Sequence, residues 1–274
     1  MKTIKVRIST THRDLDNDKF TVGCLEDMAE QINTGILPYT VEHDPRNPPI
    51  GRMIEAQVNL LDDGEYGLDG TVELFDGDFS TLTNTGEREI PIRKYESGIL
   101  KLVIDRGFKD EKNKRDLEEL VQILQDVNIE EEMKKSVDPI QVLIIGSGFI
   151  LTSIATGFLG QIGADKYLAL KKKLSKIYEE TPNVRVEKIL IFAATITHEN
   201  KSINVEVQFT NPTPDDIDKF FDEGIKELDQ ILPQHFKQDY GFARIVFEYK
   251  SGNLKIKFAV LKNGVPLFPN EPVS

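Results

Sequence analysis

The chain has 274 residues, with 46 acidic and 34 basic side chains and a formal net charge of −12. That length is typical of two domains of ordinary size. The negative balance repels a phosphate backbone, so we expect no nucleic-acid partner. A single cysteine excludes an internal disulfide, and the first residues lack the apolar core of a secretory signal. We therefore expect a cytoplasmic protein.

The sequence lacks the motifs of common metal and nucleotide sites. Its four histidines show neither the i, i+4 spacing of a helical zinc site nor neighbouring cysteine pairs. No glycine-rich loop is followed by Lys-Ser or Lys-Thr, which argues against a P-loop nucleotide triphosphatase. We expect no metal and no cofactor.

The first part of the chain predicts a β-rich domain at residues 1–110. Residues 3–9 alternate apolar and polar side chains, which is the period of a half-buried strand, and 24–33 carries apolar residues at helical spacing. Turns containing aspartate and glycine separate further predicted strands at 39–42, 50–61, 67–75 and 99–104.

The middle of the chain predicts helices. Residues 111–138 form an amphipathic helical connector in this interpretation, with apolar residues every three or four positions on a charged background. The chain then carries no charge from Pro139 to Ala164. Small side chains recur there every four residues and would share a helical face: Ser153 and Gly157, and Thr156, Gly160 and Ala164. Over 139–180 we predict this apolar, glycine-rich helix continuing into a basic amphipathic helix.

Such a glycine-rich helix needs a packed environment, since each glycine weakens an isolated helix by about 1 kcal/mol relative to alanine. Its length would span a bilayer, and Lys166 with Lys171–Lys173 just beyond it favours a cytoplasmic C-terminal domain. A helix buried in protein, or at the interface of a homo-oligomer, fits the same pattern. A third interpretation is a helix hidden at rest that enters the membrane on activation.

The C-terminal part, 181–274, predicts a ββαββ domain. Residues 202–209 alternate strictly and predict a strand with one wet and one buried face. A helix follows from Thr213, its predicted cap, to about Pro233, and strands at 240–250 and 254–261 form a hairpin. The whole chain is therefore predicted to be α+β, with a β-rich domain, a central apolar helix and this ββαββ domain.

The most distinctive motif begins within the predicted strand 39–42, and it precedes an aspartate-rich turn and Tyr66-Gly67-Leu68. It reads Thr40-Val41-Glu42-His43-Asp44-Pro45-Arg46-Asn47-Pro48-Pro49-Ile50-Gly51-Arg52. An earlier polar stretch reads Arg13-Asp14-Leu15-Asp16-Asn17-Asp18. In the order of these pieces, residues 8–75 resemble the prohead, or capsid-maturation, serine proteases of tailed phages.

The resemblance implies a β-rich protease fold in which His43 matches the family's general base. A serine nucleophile needs such a base, because its free hydroxyl is scarcely ionised. The family places that serine at the head of a later strand, where this chain has Leu102-Val103-Ile104-Asp105 instead. Ser97 is the candidate nucleophile, and Ser80 is an alternative.

Three functional hypotheses follow. The first is a binding and sensing protein with a protease-like module, whose apolar helix assembles an oligomer or inserts into membrane lipid. A capsid-protease-like module would suit antiphage defence, with a phage or capsid-related protein as partner and an inner-membrane association. The second is an active serine peptidase with His43 and Ser97. The third is a soluble homo-oligomeric scaffold.

Overall fold

A computed structural model describes the chain over residues 2–13, 17, 19–41, 44–75, 82–96, 99–105, 111–124, 127–132, 140–150, 163–179, 186–198, 201–236 and 241–269. The chain forms two compact units. The first contains Met1–Pro91 and Val260–Leu267, and the second contains Ile92–Ala259. Strands and helices occur together, which confirms the predicted α+β class.

The first unit is an antiparallel sheet with one helix packed against it. The strands are β1 Lys2–Thr10, β2 Leu37–Tyr39, β3 Gly51–Leu60 and β4 Tyr66–Leu74. They lie in the order β1-β4-β3-β2. Helix α1, Val22–Thr34, begins where the Thr21 side chain accepts a hydrogen bond from the Cys24 nitrogen. The apolar face of α1, buried at Leu25 and Ile32, packs on the sheet as its spacing predicts.

The remaining strands are β5 Lys101–Asp105, β6 Asn128–Glu132, β7 Ile140–Ile150, β8 Glu187–His198, β9 Lys201–Thr210, β10 Phe242–Lys250, β11 Asn253–Leu261 and β12 Pro266–Leu267. They lie in the order β12-β11-β10-β9-β8-β7-β5-β6. The predicted ββαββ order of the C-terminal part is confirmed, from β8 to β11.

The helices of the second unit connect parallel neighbours. They are α2 Glu111–Leu124, α3 Ala164–Glu179, α4 Pro214–Lys219 and α5 Ile225–Phe236, with a π-helical turn Phe220–Gly224 between the last two. The pairs β5·β6, β7·β8 and β9·β10 are parallel, whereas β5·β7 and β8·β9 are antiparallel. Three β-α-β crossovers therefore follow one another along the chain. Helix α3 contacts both α2 and α4, so the helices form one layer with α3 in its middle.

The apolar segment that we predicted as a helix over 139–164 is a strand at Ile140–Ile150, so the prediction is wrong there. Val142, Leu143 and Ile145 are all buried, although successive side chains of a strand point to opposite faces. A strand covered on both faces gives an uninterrupted apolar run, and such a run does not distinguish it from a buried helix. The β-branched residues of β7 favoured the strand.

The rest of that predicted helix is described only at its end. Ser153, Thr156, Gly157 and Gly160 lie outside the described residues, and Ala164 is the first residue of α3. Among the residues that the structure describes, no helix is long and apolar enough to cross a membrane.

Two lysines that we predicted beside a membrane make ion pairs inside the helix layer instead. Lys173, which is buried, donates to Glu119 at 2.6 Å and also to Asp116, both on α2. Burial disfavours its charged form, but these two hydrogen bonds outweigh that effect and raise the pKa of Lys173. Lys171 lies 2.8 Å from Asp222 in the π-helical turn. The basic face of α3 therefore binds its neighbouring helices.

The unit boundaries differ from the predicted domains. The predicted strand near residue 100 pairs with β6 and β7, so it belongs to the second unit and not to a domain ending at residue 110. The predicted connector is α2 followed by β6, because Asn128–Glu132 pairs with β5 as a strand. Long-range pairing of this kind overrides the local helical spacing.

The predicted wet face of β9 is largely buried, at Asn204 and Gln208. The segment around Tyr95 crosses this face of the sheet. Thr195 Oγ1 accepts a hydrogen bond from the Tyr95 nitrogen at 2.9 Å and lies 3.1 Å from Asn204 Oδ1. The Tyr95 ring lies directly over Gly146 of β7.

The effect of substituting Gly146 on stability distinguishes the observed strand from the predicted helix. A Cβ atom there would lie 2.0 Å from Tyr95 Cε1. Gly146→Ala should therefore lower the free energy of unfolding by about 1–3 kcal/mol, the usual cost of overpacking, as measured by urea denaturation. In a helix the same change would raise it by about 1 kcal/mol.

Gly23→Ala in α1 is the matched control for this measurement. Its added Cβ would meet no atom nearer than 3.9 Å, so the variant should be as stable as the wild type or slightly more stable. A Gly146→Ala variant that is stabilised like the control would contradict the strand and its contact with Tyr95.

Candidate functional site

The two predicted catalytic residues, His43 and Ser97, lie outside the described residues, as does the alternative Ser80. The described residues on either side of His43 belong to the first unit, whereas those on either side of Ser97 belong to the second. The candidate site that can be described is the motif around His43.

We define the motif loop as residues 40–50, which connect β2 to β3. The Ile50 nitrogen donates to the Tyr39 carbonyl oxygen at 2.8 Å and closes the loop at its base. Within the loop, the Asp44 nitrogen donates to Val41 at 3.4 Å, and the Asn47 nitrogen donates to the Asp44 carbonyl oxygen at 3.1 Å. The second of these bonds closes a turn at residues 44–47, for which its Asp, Pro and Asn residues are suited.

An ion pair within the loop fixes the Asp44 carboxylate. Arg46 Nη2 donates to Asp44 Oδ2 at 2.7 Å, and Arg46 Nε donates to Asp44 Oδ1 at 2.9 Å. The Arg46 backbone nitrogen also donates to Oδ1 at 2.9 Å. The Asp44 side chain is only 9% exposed. A bidentate contact of this kind fixes the orientation of the guanidinium and the carboxylate relative to each other. Together with the backbone bond, it satisfies a carboxylate that is largely removed from water.

A second ion pair, buried more deeply, lies where the motif enters the sheet. Arg52 Nε donates to Glu73 Oε2 at 2.9 Å, and the two side chains are 2% and 4% exposed. The other guanidinium nitrogens donate to backbone oxygens, at 2.9 Å to Asn263 and at 2.6 Å to Thr83. Arg52 therefore ties the sheet to two other segments of the same unit.

Arg52 is visible within the motif, but its partner does not follow from local spacing. The missing information is the strand register, since Arg52 stands directly opposite Glu73 in the antiparallel β3·β4 pair. Opposite charges facing each other across two strands are a recognisable signal once the strands are paired. Gly51 belongs to the same arrangement: a Cβ atom there would lie 2.5 Å from the Glu73 carbonyl oxygen. The Gly-Arg step of the motif thus has a structural explanation.

The charge of Glu73 is stabilised by its surroundings. Burial raises the pKa of this carboxyl group, but hydrogen bonds from the Thr83 hydroxyl, Arg52 and the Thr83 nitrogen outweigh burial and hold the pKa below its ordinary value. Glu73 is therefore ionised at neutral pH, and its negative charge balances Arg52.

The motif loop presents apolar side chains to solvent at both ends. Val41 is 42% exposed and Ile50 is 41% exposed. In the described part between them, the Asp44–Arg46 pair holds residues 44–46, and Pro48-Pro49 restrict the backbone before Ile50. Loops with fixed shape and exposed apolar groups on a rigid sheet are common recognition elements.

A separate polar cluster lies at the opposite end of the same sheet and was not predicted. His12 Nε2 lies 2.7 Å from Asp63, and Lys19 lies 2.7 Å from Glu65. The hydrogen bond with His12 lowers the pKa of Asp63, and hydrogen bonds from Lys19 and then Thr11 lower the pKa of Glu65. In the described parts of the chain, no group of His, Cys, Asp and Glu residues could hold a metal ion.

Comparison of the chain with protein-family models, with curated proteins and with solved structures gives no match.

Because Arg52 and Glu73 are both buried, we expect that removing either one alone lowers the stability of the fold strongly. Arg52→Met should lower the free energy of unfolding by about 3–5 kcal/mol, because it leaves the Glu73 carboxylate buried without its counter-charge. The double variant Arg52→Met, Glu73→Leu should recover much of that loss. Urea denaturation of the wild type, both single variants and the double variant measures the coupling, and additive losses would contradict it.

The same pair predicts a pH dependence. The folded-state pKa of Glu73 is lowered, so its contribution to stability is complete above the unfolded value of about 4.5 and is lost as the pH falls through the lower folded value. Thermal unfolding between pH 7 and pH 3 should show a smaller loss of stability for Glu73→Gln than for the wild type. The control is Asp69→Asn, which removes the carboxylate of the more exposed Arg7–Asp69 pair. It should change the dependence of the melting temperature on pH less than Glu73→Gln does.

Proposed function

We propose that this protein is a binding and sensing protein, and that its first unit recognises a phage or capsid-related protein through the motif loop without cleaving it. The carrying observation is that Val41 and Ile50 are exposed in the described part of this loop, where Asp44 and Arg46 hold residues 44–46 together and the Ile50 backbone is bonded to Tyr39. Pre-organised apolar groups bind with a smaller entropic cost than mobile ones. The resemblance to capsid-maturation proteases supplies the class of partner.

The engagement of the motif's charged groups supports binding over hydrolysis. Arg46 occupies both oxygens of Asp44, and Arg52 is committed to Glu73 and to backbone oxygens. The departure from the family's pattern at Leu102-Val103-Ile104, where the family has its serine, agrees with a module that binds without cutting.

Membrane insertion is not retained in this proposal, because β7 uses Ile140–Ile150 in the sheet. Self-association into a homo-oligomer remains part of it. Light scattering coupled to size-exclusion chromatography measures that self-association directly.

Binding and cleavage can be tested in one experiment. The purified chain is immobilised and exposed to the uncleaved capsid precursor of a tailed phage, and the recovered precursor is examined by intact mass spectrometry. We expect binding without cleavage. Val41→Asp and Ile50→Asp should each weaken binding about tenfold or more, since a charge would enter an apolar contact.

Leu60→Asp is the matched control, because Leu60 is 65% exposed at the other end of β3. It should bind like the wild type. His43→Ala and Ser97→Ala decide the peptidase alternative: cleavage by the wild type that both variants abolish would establish a peptidase. A wild-type chain that neither binds nor cleaves the precursor would refute the proposed recognition.

A further inference from the structure

A groove of about 410 Å³ opens between α2 and the strands β5 and β6 of the second unit. Ile104 and Ile129 from the strands and Leu117 and Val121 from α2 form its apolar lining. Ile104 and Leu117 are buried, whereas Ile129 is 45% exposed. The groove therefore has a buried apolar floor and an exposed apolar side. Its volume falls within the range of about 300–1,000 Å³ that is typical of small-molecule sites.

The polar side chains that line the groove come from one stripe of α2. Lys114, Glu118 and Gln122 are four residues apart, so they are neighbours along one side of the helix. All three side chains are exposed. Because an α-helix rises 1.5 Å per residue, this polar rim is about 12 Å long. A few polar groups beside an apolar surface are what orients a ligand in a site of this size.

The direction of the chain gives the groove two different ends. β5 and β6 are parallel, so α2, which connects them, runs back in the opposite direction. Ile104, near the end of β5, and Lys114, in the first turn of α2, therefore lie at one end of the groove. Ile129, near the start of β6, and Gln122, in the last turn of α2, lie at the other end. Glu118 stands between the two ends.

The positions of the two charges indicate the class of ligand. Among the described residues, the ion pairs of α2 are made by Arg115, Asp116 and Glu119, and neither Lys114 nor Glu118 takes part in them. A ligand with its charged group at Lys114 can lay an apolar tail along the whole groove, whereas a ligand with its charged group at Glu118 can use only half of it. Since the free energy of burial grows with the apolar area covered, the groove favours a ligand with a negative group at Lys114.

We propose that this groove binds a small amphipathic carboxylate. The carboxylate pairs with the Lys114 ammonium group, and the alkyl chain covers Leu117, Val121 and Ile129. Glu118 lies beside the chain and repels a carboxylate bound in the middle of the groove, so it helps to fix the direction of the ligand. This inference goes beyond the proposed function, since it concerns the second unit and does not depend on the motif loop.

Isothermal titration calorimetry of the full chain with octanoate, octanol and octylamine tests the proposal, because these probes share one tail and differ in the head group. Octanoate should bind several-fold more tightly than the other two, and its affinity should fall with added salt. The chain has a net charge of −12 and repels anions in general, so a preference for octanoate has to come from a local site. Failure of octanoate to bind, or tighter binding of octanol or octylamine, would overturn the proposal.

Two substitutions at exposed positions of α2 should act in opposite directions. Lys114→Gln should weaken the binding of octanoate several-fold and leave that of octanol unchanged, because it removes the charge and keeps the apolar lining. Glu118→Gln should strengthen the binding of octanoate, because it removes a like charge. Unchanged affinities in both variants, or a change in the same direction, would overturn the position of the carboxylate.

A third substitution tests the position of the tail. Ile129→Asp should weaken the binding of both octanoate and octanol about tenfold or more, since a charge enters the apolar lining. Leu168→Asp, at a 62% exposed position of α3, is the control and should leave both affinities unchanged. If Ile129→Asp lowers the melting temperature, the two exposed α2 variants decide the test.

Light scattering on the same proteins tests the other occupant. A wild-type dimer that Ile129→Asp converts to a monomer would mean that a second copy fills the groove, and it would overturn the proposed ligand. The capsid-precursor experiment depends on Val41 and Ile50 in the first unit, so either result can fail without the other.

Discussion

β7 is the strand on which the second unit depends. Buried backbone N–H and C=O groups must form hydrogen bonds within the protein, and those of β7 do so by pairing with β8 along its whole length and with β5 over part of it. Its side chains supply apolar surface to both faces of the sheet, to the helix layer on one side and to the segment around Tyr95 on the other. The crossovers on either side of β7 then place α2, α3 and α4 in one layer, which the ion pairs of Lys171 and Lys173 hold together.

In the first unit, a buried ion pair connects the sheet to neighbouring segments of the chain. Arg52 and Glu73 are buried between β3 and β4, and they connect the sheet to Thr83 and Asn263. A buried ion pair is weak evidence for net stability, but removing one partner is costly, so such a pair favours one arrangement of the segments that meet there. The motif loop begins and ends on this sheet, and the Asp44–Arg46 pair holds residues 44–46 together.

Several charged residues make contacts in the structure that differ from the roles their sequence positions suggest. Lys171 and Lys173, which suggest a membrane surface in the sequence, pair with carboxylates on neighbouring helical segments, and Arg46 and Arg52 of the motif form ion pairs within the first unit. Among the described residues, several large apolar side chains are exposed, including Val41 and Ile50 of the motif loop and Ile129 of β6.

The sequence by itself determined the elements whose periodicity is local. The strands β1 and β9, the apolar stripe of α1, the cap at Thr213 and the ββαββ order all followed from spacing and turn residues. Only the tertiary structure decided the role of 140–150, because a strand buried on both faces and a buried helix have the same apolar composition. The register that places Arg52 opposite Glu73 and the partners of Lys171 and Lys173 are likewise long-range, and no local pattern encodes which distant residue a side chain will meet.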